Sequence, residues 1–414
     1  MKILYVSQYY PPEIGAPSAR VSELAERWSQ SGHEVTVLTG FPNHPTGEVH
    51  PDYLKRWRRL FFREKVAGVD VVRTWLAPFP NRKPLERILN YTSFCVSAAF
   101  RGIFLRKPEV VIGTSPQLLV ALAAWFIARV KRAPVIFEVR DIWPEGIIAS
   151  GVGGENSTLA KALRKISVFL YKRCDLVVVV SPAFKTELVT KYGVDPSKIE
   201  IVMNGVETDL FSPEGDPAAD AETLGFDPRF LVSYIGTVGF AHGLGTLLDV
   251  AEVLREEMPD VQFLVLGEGA EKESLEVAAL ARGLDNVRFI SQRPREQIPA
   301  ILRSSEICLV LLKRTNVFKT VIPTKMLEFM ACGRALIVGV DGQAREIVEE
   351  ADAGVFAEPE DAAALVGAIR ALHGNSDERR RLGGNGRGYI VDRMSRAATA
   401  DRYLEVLTRI REDG

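Results

Sequence analysis

ILYVS (3–7), ARVSELAERWSQSG (19–32) and HEVTVLTG (33–40) decide how this 414-residue chain folds. The first and third are apolar runs of strand length. Between them Val21, Leu24, Ala25 and Trp28 recur at i, i+3, i+4 and i+7, which is one face of a helix. Ser18 suits the N-cap of that helix and Gly32 its C-cap. Strand, helix and strand in succession make a βαβ unit, the repeating element of a parallel sheet.

The alternation runs on through strands at 69–75, 110–115, 135–141, 176–181 and 199–205, with helices at 84–106, 117–130, 157–173 and 182–192. The strands are continuously apolar rather than alternating, so they belong to a parallel sheet covered on both faces. Residues 211–228 are rich in Pro, Gly, Asp and Ala, as a linker or exposed loop is. The pattern then restarts with strands at 230–236, 261–267, 287–291, 307–312 and 335–340. Helices fall at 246–257, 271–283, 296–304, 323–332 and 361–373, and again over 376–412. The expected fold class is therefore α/β, with two Rossmann-like doubly wound domains facing across a cleft. Domains 1–205 and 206–380 are expected, followed by helices over 381–414 that pack back toward the first domain. Ligands of such sheets bind beyond the carboxyl ends of the strands, so the loops there are the places to look.

The bulk numbers agree with a folded protein: 47% of residues are apolar and 25% charged. The net charge of −1 conceals a split. Residues 1–210 hold 28 Lys and Arg against 20 Asp and Glu, and the remainder holds 24 against 33. Either the first half faces something anionic or the split is chance composition. Cys95, Cys174, Cys308 and Cys332 lack metal-ligand spacing and read as free thiols of a reducing compartment. MKILYVSQYY has no basic segment leading into a long apolar one, so no signal peptide is expected. The stretch 108–128 contains Glu109, Gly113 and Pro116, and reads as strand, turn and helix rather than a membrane span.

In the second half, KTVIPTKMLEFMACG (319–333) starts a helix at Pro323. A helix N-terminus offers unpaired N–H groups and a positive dipole end, both suited to phosphate. Lys325 in the first turn makes sense if an anion sits beside it. Glu328, one turn on, can accept two hydrogen bonds from vicinal hydroxyls. The alternative is an amphipathic helix with solvated charges. The loop GTVGFAHGLG (236–245) lets backbone N–H groups approach a ligand at Gly236 and Gly239, with His242 as a further donor. A plain flexible turn is the other reading. The loop containing Glu268 (GEGAEKE) borders another strand end.

These pieces, in this order, resemble the family-4 retaining glycosyltransferases of GT-B fold. They are the Gly-rich loop, LVLGEG (264–269), VRFIS (287–291), PTKMLEFMACG (323–333) and the hinge-like VMNGVETDLF (202–211). Within that family the chain is most similar to the WbuB-like transferases of N-acetylfucosamine in O-antigen and capsule assembly. That likeness rests on QYYPPEIGAPSAR (8–20), FPNHPTG (41–47), EVRDIWPE (138–145) and FKTVIPTKMLEFMA (318–331). The resemblance implies that Glu328 holds the ribose hydroxyls, that Pro323, Thr324 and Lys325 begin the helix whose amides hold the diphosphate, and that Gly15 closes over the phosphates from the first domain. It also implies a UDP-sugar donor, retention of anomeric configuration, and a lipid-linked or saccharide acceptor. The chain departs from the family's pattern at Thr320, where a Glu is usual. Thr237 and His242 stand in place of an Arg and a Lys, and Arg140-Asp141 in place of His-Asp.

Departure of a sugar's diphosphate needs positive charge and N–H donors. The sequence contains no Asp-x-Asp metal pair, so a metal-free site without cofactor is expected, with Arg140, Lys319, Lys325 and protonated His242 as candidate cations. Asp141 is the first candidate to take the acceptor proton, ahead of Glu138 and Glu145; the alternative for Asp141 is a structural cap or an Arg140 partner. KRWRRLFFREK (55–65) and the stretch 81–107 mix basic with aromatic and aliphatic residues, as a peripheral surface on the inner face of the cytoplasmic membrane does. A solvated basic face, or a buried helix, would read the same way. No nucleic-acid module is present. Three rivals stand beside the transferase: a UDP-sugar epimerase or hydrolase of the same fold, an oxidoreductase, and a non-catalytic subunit. The absence of Gly-x-Gly-x-x-Gly after the first strand speaks against the oxidoreductase.

Overall fold

The computed structural model describes residues 1–13, 15–44, 46–79, 84–143, 157–215, 230–316 and 318–413. Glu145, residues 81–83 and most of the expected linker lie outside them. The chain divides into two compact units, Met1–Asn204 with Thr399–Gly414, and Gly205–Ala398.

The first unit runs β1 (Lys2–Val6), α1 (Ala16–Gln30), β2 (Glu34–Gly40), α2 (Leu54–Trp57), β3 (Phe61–Val66), β4 (Val69–Thr74), α3 (Pro84–Ile103), β5 (Val110–Thr114), α4 (Leu118–Lys131), β6 (Val135–Val139), α5 (Thr158–Arg173), β7 (Leu176–Val179), α6 (Pro182–Tyr192) and β8 (Ile199–Ile201). The sheet order is β3-β4-β2-β1-β5-β6-β7-β8. Every pairing is parallel except β3 with β4. The strand order reverses between β1 and β5, which makes their carboxyl ends the switch point of the sheet.

The second unit runs β9 (Phe230–Ile235), α7 (Gly245–Glu257), β10 (Val261–Leu266), α8 (Lys272–Ala281), β11 (Val287–Ile290), α9 (Ile298–Arg303), β12 (Ile307–Leu311), α10 (Thr324–Ala331), β13 (Ala335–Gly339), α11 (Gln343–Glu350), β14 (Gly354–Phe356), α12 (Ala362–His373) and α13 (Ser376–Tyr389). Its sheet is wholly parallel, in the order β11-β10-β9-β12-β13-β14. This is the doubly wound order 3-2-1-4-5-6, with the switch point between β9 and β12.

The inner strands of each sheet are buried on both faces because they are apolar throughout, whereas the edge strand β3 is exposed at alternate residues. In the first unit Trp28 on α1 is fully buried, stacks on Tyr5, meets Tyr403 edge-on and donates from Nε1 to the Ala400 carbonyl at 3.0 Å. Such an aromatic anchor is worth roughly 3–5 kcal/mol against alanine. Ala400 and Tyr403 lie on the last helix, α14 (Arg396–Asp413), which also gives Val406 and Leu407 to this core. The expected third segment, 381–414, is therefore divided. Helix α13 belongs to the second unit, and only the chain from Thr399 onward to the first.

Two local expectations need correction, and the stretch 55–65, to which the sequence assigns no element, gains two. Helix α1 begins at Ala16 with Gly15 as N-cap, so Ser18 lies inside the first turn and does not cap it. The basic-aromatic stretch 55–65 is a short helix and an edge strand, with Arg56 lying over the Phe62 ring at 4.1 Å. The three-residue strand β14 extends a sheet that the sequence ended at β13.

Candidate active site

In the second unit the loops after β9 and β12 meet at the switch point. Gly236 has φ 145°, a conformation that favours glycine. A Cβ there would lie 3.3 Å from Cδ and 3.4 Å from Nζ of Lys325. The loop is pinned by its neighbour, since Gly236 N donates to the Leu266 carbonyl and Val238 N to the Glu268 carbonyl, each at 2.9 Å. That contact requires glycine on the other side. A Cβ on Gly267 would stand 1.9 Å from the Gly236 oxygen, and one on Gly269 2.0 Å from the Val238 oxygen. The motif LVLGEG thus lets two phosphate-side loops run against each other. Gly239 has an ordinary extended φ of −143° and needs no glycine for conformation. Thr237 contributes its carbonyl, which accepts from the Tyr234 hydroxyl at 2.7 Å.

Helix α10 starts at Thr324 with Pro323 as N-cap and no side chain capping it. The Met326 amide bonds back to the Pro323 carbonyl at 3.0 Å, and no side chain caps the amides of Thr324 and Lys325. Lys325 Nζ is out of solvent, has no hydrogen-bond partner, and lies 3.8 Å from the centroid of the Tyr234 ring. Burial pushes its pKa down from 10.5 to about 7. An unpaired buried ammonium is costly, and an anion at the helix start would relieve that cost.

The expectation that His242 is protonated fails. Burial, then the nearby Lys325, holds its pKa below the usual 6.5. Its Nδ1 lies 3.2 Å from the Gly239 carbonyl. In the neutral ring that contact assigns the proton to Nδ1 and leaves Nε2 an acceptor.

Glu328 lies one turn along α10. Its Oε1 pairs with Arg295 Nη1 at 3.1 Å, and Arg295 lies over the Phe211 ring at 5.0 Å. Burial raises the Glu328 pKa, with Arg295 and Arg396 pulling against it. The side chains of the other two candidates are engaged in ion pairs. Glu268 Oε1 is exposed and paired with Lys272 at 3.0 Å, which lowers its pKa through that hydrogen bond. Lys319 pairs with Asp341 at 2.8 Å.

In the first unit Gly15, with φ 148°, caps the α1 start beside β1. The backbone amides of Arg140 and Asp141, just past β6, both donate to Ser115 Oγ at 2.6 and 3.1 Å. Arg140 Nη1 reaches the Pro17 carbonyl at 3.4 Å, so the 140–141 turn and the α1 start converge at the switch point. Burial lowers the Arg140 pKa and raises that of Asp141, the latter against the pull of Arg140. Glu138 is not available as a base. It is fully buried and accepts from Arg20 Nε at 3.0 Å, the Tyr5 hydroxyl at 2.7 Å and Thr114 Oγ1 at 2.6 Å. Burial alone would raise its pKa, but Arg20, Arg140 and those hydrogen bonds outweigh it and hold the group ionised. Among the described residues no cluster of three or more His, Cys, Asp or Glu is placed to hold a metal ion.

Comparison with known proteins agrees with this arrangement. Residues 15–205 match the glycosyl transferase 4-like domain, and residues 218–389 match the glycosyl transferases group 1 domain. A protein assigned to colanic acid biosynthesis as glycosyl transferase WcaI, from Escherichia coli strain K12, is 29% identical over 388 residues, 89% of this chain and 91% of that protein. Sucrose-phosphate synthase from Thermosynechococcus elongatus superposes with a TM-score of 0.73 at 18% identity, over 100% of this chain and 99% of that one. HepE of Anabaena in complex with UDP superposes with a TM-score of 0.68 at 16% identity, over 99% and 100% of the two chains. The epimerase, oxidoreductase and non-catalytic readings give way to these matches. With a glycosyl transferase 4-like domain and a glycosyl transferases group 1 domain matched in series on a GT-B fold, the chain is a glycosyltransferase.

Proposed function

We propose that this enzyme transfers a sugar from a UDP-sugar to a lipid-linked or saccharide acceptor in cell-surface polysaccharide synthesis. The transfer uses no metal and retains the anomeric configuration. The unpaired Lys325 ammonium beside the uncapped start of α10 carries this reading. A diphosphate seated there receives helix amides and a charge-assisted hydrogen bond worth roughly 1.5–3 kcal/mol. As the sugar–phosphate bond breaks, its electron pair stays on the diphosphate, and Lys325, protonated since the donor bound, stabilises the growing negative charge. Glu328 binds the ribose hydroxyls, and Asp141, with its raised pKa, takes the acceptor proton. UDP as the nucleotide is supported by the complex of HepE, and a role in polysaccharide assembly by the likeness to WcaI. The sugar we propose is an N-acetylated deoxyhexosamine, as in the WbuB-like enzymes.

A membrane-bound acceptor suits the surface of the first unit. Helix α3 exposes Val96 and Phe100, and Phe104 follows just past its end, each more than 60% accessible; Arg101 lies over the Phe61 ring at 3.9 Å. No described helix is long and apolar enough to cross a membrane. Apolar side chains beside basic ones bind an anionic bilayer surface. The test is a thermal-shift screen of UDP-sugars with EDTA present. A raised Tm with one UDP-sugar is expected. No shift with any, or a shift that requires added Mn²⁺, would overturn the proposal.

A further inference from the structure

The opposite edge of the first unit's sheet carries a feature that sugar transfer does not use. Where β6 and β7 begin, a cavity of about 530 Å³ is lined by Arg129, Arg132, Arg173, Arg409, Asp175 and Ile410 among others. Strands of five residues put about 17 Å between this edge and the loops of Ser115 and Arg140.

Four arginines converge there, and their partners are few. Arg409 is held by Glu200. Asp175 turns one oxygen to the backbone, accepting from Val135 N at 2.8 Å. The side chains of Arg129, Arg132 and Arg173 have no ion-pair or hydrogen-bond partner among the described residues. The plain explanation is that α4 and α5 end here and basic residues offset their dipoles. Two helix ends carry about one negative charge together, and Asp175 adds one. Three unpartnered guanidiniums exceed both, leaving about one positive charge over a roomy cavity. Arg132 adds a second observation. It is the C-cap of α4 in the left-handed conformation, φ 51°, where glycine is the ordinary residue. A long cationic side chain in that strained position faces a need that a helix stop alone does not create.

We infer that this cavity binds a phosphate-bearing anion, at a site separate from the sugar-donor site. Guanidinium forks match phosphate oxygens two at a time, and the volume lies in the range of small-ligand pockets. The phosphate comes either from a soluble ligand or from a lipid headgroup. The inference does not depend on the identity of the transferred sugar or on Lys325.

Calorimetry with pyrophosphate tests the soluble source. The full chain carries Lys325→Met, which weakens binding at α10, and the cavity substitutions report what remains. One pyrophosphate per chain is expected, bound about tenfold or more weakly after Arg173→Gln or Arg132→Gly, since each removes a charge-assisted contact. Arg132→Gly suits the left-handed cap, so its Tm should not fall. Flotation with phosphatidylcholine vesicles, with or without phosphatidylglycerol, tests the lipid source. Loss of phosphatidylglycerol-dependent flotation in both cavity variants supports a headgroup site. The inference is overturned if pyrophosphate fails to bind and flotation is unchanged by either substitution, or if pyrophosphate and the vesicles bind the Arg132→Gly/Arg173→Gln double variant as well as the chain without cavity substitutions.

Discussion

Lys325 couples donor binding to a proton. In the ligand-free protein burial holds its pKa near 7, against 10.5 in an exposed lysine. The unfolded chain binds this proton up to 10.5, so ligand-free stability rises as pH climbs from about 7 to 10.5. Below about pH 7 the same depression costs the folded state on the order of 5 kcal/mol, and the cost fades to nothing as pH rises to 10.5. A diphosphate at α10 supplies the missing counter-charge and restores a high pKa. At pH 8 the free lysine is about 10% protonated, so binding UDP should take up about 0.9 proton. At pH 6 the lysine is already about 90% protonated and uptake should drop to about 0.1. Between pH 8 and 10 the Kd for UDP should rise about tenfold per pH unit. Calorimetry of UDP binding in buffers of different ionisation enthalpy reads the uptake directly. Lys325→Met should abolish the uptake at pH 8 and weaken UDP by roughly tenfold to a hundredfold. It should also raise the Tm of the ligand-free protein, because a costly buried amine is gone. Uptake that persists in Lys325→Met, or a variant that binds UDP as well as the parent, would refute the reasoning.

Glu328→Ala should weaken UDP by about tenfold or more while leaving dUDP affinity nearly unchanged, because only the ribose offers two vicinal hydroxyls; paired titrations check this. Arg295→Ala removes the cation that restrains Glu328, whose pKa should then climb. UDP affinity should accordingly fall at a higher pH than in the parent as acid is added, and Arg295→Lys should restore most of the profile. Gly267→Ala puts a methyl against the Gly236 carbonyl at a φ of 152° and should cost about 1–3 kcal/mol, seen as a lower urea midpoint and weaker UDP binding. Arg20→Met strands the buried Glu138 carboxylate and should cost about 3–5 kcal/mol, measured by denaturation.

Much of this was legible in the residues. Continuous apolar strands alternating with amphipathic helices dictated two parallel sheets, and the helix beginning at Pro323 was visible because Pro, a cation and a carboxylate fall within two turns. The edge strand β3 was hidden because its alternation is carried by charged and aromatic residues that read as a basic surface. Strand β14 has three residues, too few to show a period. The role of Glu138 was hidden for another reason. Arg20 and Tyr5 lie more than a hundred residues away in sequence, and only the sheet brings them to it. Gly267 and Gly269 read as generic small residues, and their purpose appears only with the carbonyls they face. Burial likewise inverted the charge states assigned to His242 and, at neutral pH, to much of Lys325. A sequence names a cation, while the surroundings decide whether it is one.

A crystal structure with UDP bound tests the central claim most directly. A diphosphate oxygen is expected about 3 Å from the Lys325 Nζ and from the backbone amides that begin α10, with both ribose hydroxyls on Glu328. A diphosphate bound elsewhere, with Lys325 still stacked on Tyr234 and unpaired, would contradict it.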